Sequence, residues 1–264
     1  MTVPRLAAID LDGTLLQSDG TVSGRTRTAL ADAQAGGLTV VLVSGRHPAA
    51  LAEVAADAAV GGFGICSNGA NVLDLDSGCI VRVRPIQTNV ALRLVRALRE
   101  RAPGVLFAAE SEAELAFEPG FRAWNWEPPS DTRYGDAIEL LTRPVTRLII
   151  RHEAYALDVL AALVREVTGE AATVMIPGPW TVEISAAGVN KAAALAELCD
   201  DLGIDASEVV AFGDYPNDLP MLAWAGRAVA VENAHPDVLA AADEVTASND
   251  EDGVALVLEA LPLP

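Results

Sequence analysis

The segment Leu6-Ala7-Ala8-Ile9-Asp10-Leu11-Asp12-Gly13-Thr14 places an apolar run directly before two carboxylates. Residues 6–9 are apolar at every position, which predicts a short strand that is buried on both faces. Helices and strands alternate after this segment: a helix capped by Ser23 and ending near 35, a strand over 38–43, a helix over 48–58 and a strand over 64–67. This order is typical of a parallel sheet with helices on both faces.

The C-terminal part of the chain repeats this alternation, with helices predicted over 190–202, 218–224, 236–241 and 252–260 and strands over 209–212 and 228–231. The middle differs because its predicted strands carry alternating polar residues, as expected of an antiparallel sheet with one wet face. Its predicted segments are a hairpin over 72–75 and 79–83, helices over 88–101 and 154–167, strands over 105–109, 145–151, 173–176 and 181–184, and an irregular stretch over 120–136. The sequence therefore predicts an α/β fold, with a doubly wound, Rossmann-like parallel-sheet core over 1–81 and 185–264 and an inserted α+β domain over 82–184.

The composition limits the partners of the protein. The chain has 264 residues, with 18 Lys and Arg against 37 Asp and Glu, and a formal net charge of −19. Nucleic acids and anionic membranes attract basic proteins, so neither is an expected partner. No apolar run approaches the ~20 residues that span a bilayer, and Asp10 and Asp12 interrupt the apolar run that a signal peptide needs. We expect a cytoplasmic protein that binds a small molecule, as a monomer or a weak homodimer.

Polar residues cluster just after the predicted core strands. In open α/β sheets, ligands bind beyond the carboxyl ends of the strands, so these residues are candidates for one shared site. Asp10 and Asp12 follow the first strand, and Lys191 lies at the start of a helix. The other candidates follow the strands over 38–43 and 209–212, and they are Ser44, Gly45, Arg46, Gly213, Asp214, Asn217 and Asp218. We predict that the four clusters meet at one edge of the core sheet.

These residue types indicate phosphate chemistry. Several carboxylates at one point repel one another unless a cation lies between them. Oxygen ligands without a His or Cys cluster favour Mg²⁺ over zinc. Together with Lys191, the Ser44 hydroxyl and backbone N–H groups, such an ion would bind a phosphoryl group. A carboxylate directed at that group can attack phosphorus and form an aspartyl-phosphate, and Asp12 can protonate the leaving oxygen.

The motifs are similar to those of the haloacid dehalogenase (HAD) superfamily of phosphohydrolases. Asp10-Leu11-Asp12-Gly13-Thr14-Leu15-Leu16 matches the first motif without departure, and the other three are matched by Ser44-Gly45-Arg46, by Lys191, and by Gly213-Asp214 with Asn217-Asp218. Further segments resemble the Cof-type (HAD-IIB) branch: Ser67-Asn68-Gly69-Ala70, Met221-Leu222, Val229-Ala230-Val231-Glu232-Asn233-Ala234 and Asp252-Gly253-Val254. In placement and size, the insertion resembles the cap domain that such enzymes carry.

The resemblance implies a role for each candidate. Asp10 would be the nucleophile and a ligand of Mg²⁺, and Asp214 would be the other side-chain ligand. Asp12 would be the general acid and base, with its backbone carbonyl on the metal. Asp218 would orient Lys191 or a metal-bound water. The groups that would hold the phosphate are Ser44, Gly45, Lys191, Asn217 and the backbone N–H of Leu11.

Two candidates also have simpler interpretations. Ser44 can instead cap the helix that follows it, because serine is among the preferred N-cap residues. Arg46 is expected as an ion-pair partner that supports the site rather than as a substrate contact. In the insertion, the stretch 120–136 is expected to contact the leaving group through Arg122, Trp124, Asn125 and Arg133.

We therefore expect a Mg²⁺-dependent phosphatase that hydrolyses small phosphate monoesters through an aspartyl-phosphate, with sugar phosphates as the expected class. The alternatives within the superfamily are a phosphomutase, a dedicated biosynthetic sugar-phosphate phosphatase, and a phosphatase of flavin mononucleotide or pyridoxal phosphate. A signalling receiver domain also pairs an acceptor Asp with Ser or Thr and Lys, but the insertion and Asp12 argue against it. A catalytically silent binding protein is disfavoured by the complete set of reactive groups.

Overall fold

The computed structural model describes residues 3–112, 114–122, 130 and 132–262. The chain forms two compact units, a core unit of Met1–Arg82 with Asn190–Pro264 and an inserted unit of Val83–Val189. The predicted return to the core at residue 185 lies inside the strand Val182–Ala186, which pairs with Arg147–Arg151 of the inserted unit. This pairing extends the inserted unit past the predicted boundary.

Strands and helices alternate along much of the chain. The described strands are β1 Leu6–Asp10, β2 Thr39–Val43, β3 Phe63–Cys66, β4 Asn71–Asp74, β5 Cys79–Val83, β6 Leu106–Ser111, β7 Glu114–Phe117, β8 Arg133–Tyr134, β9 Arg147–Arg151, β10 Ala172–Met175, β11 Val182–Ala186, β12 Val209–Gly213, β13 Arg227–Val231 and β14 Glu244–Thr246. The described α-helices are α1 Gly24–Ala35, α2 Pro48–Ala58, α3 Thr88–Arg101, α4 Ala137–Leu140, α5 Leu157–Thr168, α6 Lys191–Leu202, α7 Leu219–Trp224, α8 Pro236–Ala241 and α9 Gly253–Ala260. Within the described residues, no helix has both the length and the apolar character that crossing a membrane requires.

The core sheet has the strand order β14-β13-β12-β1-β2-β3-β4-β5. β1 pairs in parallel with β2 on one side and with β12 on the other, and β4 is antiparallel to β3. Alternate residues of β1 enter two apolar clusters: Ala7 and Ile9 pack with residues of α1, α2 and α9, whereas Leu6 and Ala8 pack with residues of α6, α7 and α8. Helices therefore cover both faces of the sheet, and the predicted doubly wound core is confirmed.

Capping side chains set where the core helices begin. Ser23 caps α1 and Asn190 caps α6, each by accepting a backbone N–H from the first turn of its helix. The cap of α2 is His47, whose ring nitrogen accepts a backbone N–H at 3.2 Å. The alternative role of Ser44 as the cap of α2 is therefore wrong. The Ser44 hydroxyl accepts the N–H of Arg46 at 3.1 Å within the loop that precedes the helix.

The inserted unit contains a sheet with the strand order β10-β11-β9-β6-β7-β8. Among its described strands, the edge pair β7–β8 is parallel and the other pairs are antiparallel. Leu148 and Ile150 of β9 pack against α3 and α5. Ile149 points to the opposite face and packs with a second apolar cluster, which includes Phe121 and residues of β6 and β7. The predicted α+β character of this unit is therefore present.

Short elements of the inserted unit escape the sequence prediction. The stretch 120–136, predicted to be irregular, contains β8 and the Asp136 cap of α4. β8 has only two residues and depends on its pairing with β7, so it carries no local signal of its own. Trp124 and Asn125, which the sequence assigns to leaving-group contacts, lie outside the described residues.

Candidate active site

Three neighbouring parallel strands bring predicted site residues to one edge of the core sheet. Asp10 is the last residue of β1, and it lies opposite Val43, the last residue of β2. Ser44 directly follows β2. Asp214 directly follows β12, the parallel neighbour of β1 on the other side. The topology thus places these three polar side chains at the carboxyl ends of adjacent strands.

Lys191 lies in a buried ionic cluster at this edge. It is the first residue of α6, and only 1% of the residue is exposed. Its Nζ donates to Asp10 Oδ1 and to Asp218 Oδ1, each at 2.5 Å. The second carboxylate oxygen of Asp218 accepts the backbone N–H groups of Asp214 at 3.2 Å and Tyr215 at 3.1 Å. Asp218 therefore fixes both the lysine and the loop that carries Asp214.

Asp214 is held by the turn that follows the first strand. The Thr14 hydroxyl donates to Asp214 Oδ1 at 3.0 Å. Gly13 has a φ of +85°, and a Cβ at this position would lie 2.4 Å from Asp214 Oδ2. Glycine adopts this backbone readily and has no side chain to displace the carboxylate. The Gly-Thr pair of the first motif thus positions a residue that lies far away in the sequence.

The cluster carries uncompensated negative charge. Asp10, Asp214 and Asp218 each offer a carboxylate oxygen within 4.8 Å of the others, and Lys191 balances one of the three charges. Burial raises the pKa of Asp10 well above its usual value, and the charge of Asp218 raises it further, whereas Lys191 lowers it. Burial and the charge of Asp218 likewise raise the pKa of Asp214 to about 6. Burial lowers the pKa of Lys191, but the charges of Asp10 and Asp218 outweigh this, so its pKa lies above the usual value.

The donor set fits a divalent cation that prefers oxygen. Both oxygens of Asp218 already accept hydrogen bonds, which makes Asp10 and Asp214 the carboxylates suited to a metal. The cluster contains neither His nor Cys, a donor set that favours Mg²⁺ over zinc. Two positive charges would balance the two charges that Lys191 leaves uncompensated.

The Asp12 carboxylate forms a separate ion pair. Its side chain is 60% exposed and accepts two hydrogen bonds from Arg46, from Nε at 2.9 Å and from Nη2 at 2.6 Å. The structure thus identifies the ion-pair partner that the sequence left unnamed for Arg46. Paired hydrogen bonds of this kind fix the orientation of a carboxylate, and the exposure of Asp12 keeps it accessible to a ligand.

The remaining predicted phosphate ligands lie in nearby loops. Leu11 is buried directly after Asp10, and Ser44 and Gly45 form the loop after β2. Asn217 lies in the short turn Pro216–Asp218 after β12, where its Nδ2 donates to Asn68 Oδ1 at 3.1 Å. Sequence reasoning gave Asn68 no role, although its motif resembled the Cof-type branch and was the available signal.

Nearly the whole chain matches a known protein family. A family described as haloacid dehalogenase-like hydrolase matches residues 7–258. The chain belongs to the haloacid dehalogenase superfamily. This result confirms the resemblance predicted from the motifs.

Individual HAD relatives align with nearly the whole length of the chain. A 5-amino-6-(5-phospho-D-ribitylamino)uracil phosphatase of Bacillus subtilis (strain 168) is 30% identical over 251 residues, which cover 95% of this chain and 93% of that protein. A pyridoxal phosphate phosphatase of Escherichia coli (strain K12) is 29% identical over 266 residues, covering 95% and 96%. The crystal structure of a haloacid dehalogenase-like hydrolase from Bacteroides thetaiotaomicron superposes with a TM-score of 0.84 at 28% identity, covering 98% of this chain and all of that one. The chain is thus a HAD-type phosphoric monoester hydrolase.

Proposed function

We propose that this HAD protein hydrolyses small phosphate monoesters in a Mg²⁺-dependent reaction through an aspartyl-phosphate on Asp10. The observation that supports this most directly is the pair of 2.5 Å contacts from the Lys191 ammonium to Asp10 and Asp218. They place a buried cation beside a carboxylate at the carboxyl end of β1. Bound between Asp10, Asp214 and the Asp12 carbonyl, Mg²⁺ would neutralise charge on the phosphoryl oxygens.

The protein groups divide the reaction between them. An Asp10 oxygen attacks phosphorus, and the bond between phosphorus and the ester oxygen breaks. Asp12 donates a proton to that leaving oxygen, and then takes a proton from the water that hydrolyses the aspartyl-phosphate. Lys191, Asn217, the Ser44 hydroxyl and the N–H groups of Leu11 and Gly45 hold the phosphoryl oxygens. Asp218 keeps Lys191 in place, in keeping with their contact.

The substrate class is proposed to be sugar phosphates. Two relatives, the 5-amino-6-(5-phospho-D-ribitylamino)uracil phosphatase and the pyridoxal phosphate phosphatase, favour a second class, in which phosphate is attached to a small molecule with a heteroaromatic ring. Both classes leave an alcohol of high pKa, which needs a proton from Asp12. A panel of sugar phosphates, pyridoxal phosphate and flavin mononucleotide, followed by release of inorganic phosphate, decides between them.

We propose that the inserted unit selects the leaving group. Arg122 and Arg133 lie in the stretch 120–136 that is assigned to this role, and both are exposed. Replacing the two arginines with alanine should lower kcat/KM for the best metabolite much more than for p-nitrophenyl phosphate, whose leaving group needs little recognition. Arg101→Ala removes an exposed cation paired with Glu166 in the same unit, and it is the matched control. Equal losses on both substrates would contradict the proposal.

The chemistry is tested with p-nitrophenyl phosphate. EDTA should abolish hydrolysis and added Mg²⁺ should restore it. Asp10→Asn should abolish both turnover and the covalent phosphate, which mass spectrometry locates after rapid acid quenching. Asp57→Asn, at an exposed carboxylate paired with Arg27 in the core unit, should leave turnover unchanged. Full activity in EDTA, or phosphate on any residue other than Asp10, would contradict the mechanism.

A further inference from the structure

We propose that Asn68 is a positioning residue, whose buried carboxamide orients Asn217 toward the phosphate. The inference rests on the proposed phosphatase function, because it concerns one of the groups that would hold the phosphoryl oxygens. Asn68 belongs to the turn Ser67-Asn68-Gly69, which joins β3 to β4 and is fully buried. No step of the proposed mechanism uses this turn.

The backbone of the turn is unusual. Ser67, Asn68 and Gly69 have φ values of +51°, +55° and +101°, so three consecutive residues are in the left-handed region. Residues other than glycine rarely adopt this conformation, and they keep it only where their surroundings fix it, often near functional sites. The contacts around the turn must therefore hold it in this conformation.

Backbone hydrogen bonds fix the turn to the loop after β2. The N–H of Asn68 donates to the carbonyl of Ser44 at 3.0 Å, and the N–H of Ser67 donates to the carbonyl of Arg46 at 2.9 Å. The carbonyl and the N–H of one trans peptide point in opposite directions. Because the Ser44 carbonyl points to the turn, the Gly45 N–H points away from it. This is the N–H group assigned to the phosphate.

The carboxamide of Asn68 lies between two predicted phosphate ligands. A Cβ on Gly45 would lie 3.1 Å from Asn68 Nδ2 and 3.2 Å from its Oδ1, so the amide packs directly on this glycine. Gly45 does not have a positive φ, so the contact with Asn68, rather than the backbone, disfavours a side chain there. On its other side, Asn68 Oδ1 accepts from Asn217 Nδ2 at 3.1 Å.

Asn217 depends on this contact for its orientation. Its Oδ1 is buried and has no hydrogen-bond partner among the residues that the structure describes. The acceptor on Asn68 therefore selects the rotation of the Asn217 amide and leaves one N–H of Nδ2 for another acceptor. A phosphoryl oxygen is such an acceptor. Without Asn68, the Asn217 amide would lose this constraint.

The turn also contacts the helix that carries the lysine. A Cβ on Gly69 would lie 2.3 Å from the carbonyl oxygen of Asn190, the N-cap of α6, directly before Lys191. The turn 67–69 thus contacts segments that carry three of the groups assigned to phosphate, which are Gly45, Asn217 and Lys191. A rigid turn at this position sets the spacing between them.

The test removes the Asn68 side chain without straining the backbone. Asn68→Gly accepts a φ of +55°, and Ala59→Gly, also at +55° but at the end of α2, is the matched control. Binding of inorganic phosphate in Mg²⁺ is measured by titration calorimetry, and kcat and KM are measured with p-nitrophenyl phosphate. Asn68→Gly should weaken phosphate binding about tenfold, the effect of losing one well-oriented hydrogen bond to a charged group. Its Tm should stay within about 3 °C of the wild type, and the control should bind phosphate normally.

A double-mutant cycle shows whether Asn68 acts through Asn217. In the Asn217→Ala background, Asn68→Gly should weaken phosphate binding less than about twofold, because the group that it orients is already absent. Wild-type affinity in Asn68→Gly, or the same tenfold loss in both backgrounds, would overturn the inference. If Asn68→Gly does not fold, Gly45→Ala decides in its place: its methyl should displace the Asn68 amide, and its loss of affinity should likewise depend on Asn217.

The proposed function and the inference fail in different ways. A wild-type chain that binds phosphate but hydrolyses no ester contradicts the function only, and the cycle measured on phosphate binding still decides the role of Asn68. A wild-type chain that hydrolyses esters while the cycle is additive contradicts the inference only. A wild-type chain that binds no phosphate overturns both.

Discussion

Replacing Lys191 with methionine should destabilise the core unit strongly. The substitution keeps most of the side-chain volume but removes the ammonium that contacts Asp10 and Asp218 at 2.5 Å. Both carboxylates are buried, so water cannot take the place of the lost partner. Removing one member of a buried ion pair costs about 3–5 kcal/mol. That is a large part of a total stability of about 5–15 kcal/mol.

A surface ion pair provides the matched control. Arg82 also contacts two carboxylates, those of Glu197 and Asp201, but its side chain is 29% exposed. Arg82→Met should therefore cost no more than about 1 kcal/mol. The free energy of unfolding is measured by urea denaturation in EDTA, with circular dichroism as the signal. If Lys191→Met and Arg82→Met are destabilised equally, the structural account of Lys191 is wrong.

The effect of Lys191→Met should depend on pH and on Mg²⁺. Lys191 lowers the pKa of Asp10, so its removal lets Asp10 bind a proton at higher pH. A carboxyl group whose pKa is raised in the folded state loses its destabilising effect as the pH falls through that pKa. The difference in stability from the wild type should therefore shrink as the pH is lowered. At pH 7, saturating Mg²⁺ should stabilise the variant, because the proposed site for the ion exists in the folded state only.

Three further substitutions test other parts of the structure. Gly13→Ala should weaken activation by Mg²⁺ about 10- to 100-fold, because its methyl group would displace Asp214. Gly20→Ala is the control, since Gly20 has the same φ of +85° but open space around its Cβ, and it should leave activation unchanged. Arg46→Met should change the free energy of unfolding by less than about 1 kcal/mol, because its ion pair with Asp12 is exposed. The same variant should slow turnover about 10- to 100-fold, because the ion pair orients Asp12, the proposed general acid. An unchanged kcat would contradict this. Arg147→Met should lower stability by about 3–5 kcal/mol in urea denaturation, because it removes the buried guanidinium that forms ion pairs with Glu110 and Glu183 of the inserted unit.

Much of the core unit is predictable because its signals are local. The apolar run before Asp10 marks β1, and Ser23 and Pro48 mark the starts of α1 and α2. The parallel order then follows from the alternation of strands and helices, and parallel strands carry the polar residues after them to one edge. The gathering of Asp10, Asp214 and Lys191 is therefore predicted before any contact is known.

The missed features depend on contacts between distant segments. The short strand β14 has three residues and lies at the edge of the core sheet, where it pairs with β13. Asn68 and Asn217 are 149 positions apart, and nothing near either residue indicates that their side chains meet. The identity of the Arg46 partner has the same origin, because Asp12 is 34 positions away. Such contacts follow from the packed fold rather than from local preference.

The burial of Lys191 allows amine labelling to detect opening of the core unit. Lys191 is the only lysine in the sequence, so amine-reactive reagents can modify only this side chain and the α-amino group of the chain. Burial excludes the reagent, and the two carboxylates keep the ammonium protonated and therefore unreactive. A second adduct in the intact mass then reports on one event, the opening of the core unit around its ionic cluster. The rate at which the second adduct appears measures how often the ionic cluster is exposed to solvent, and no probe has to be introduced into the protein.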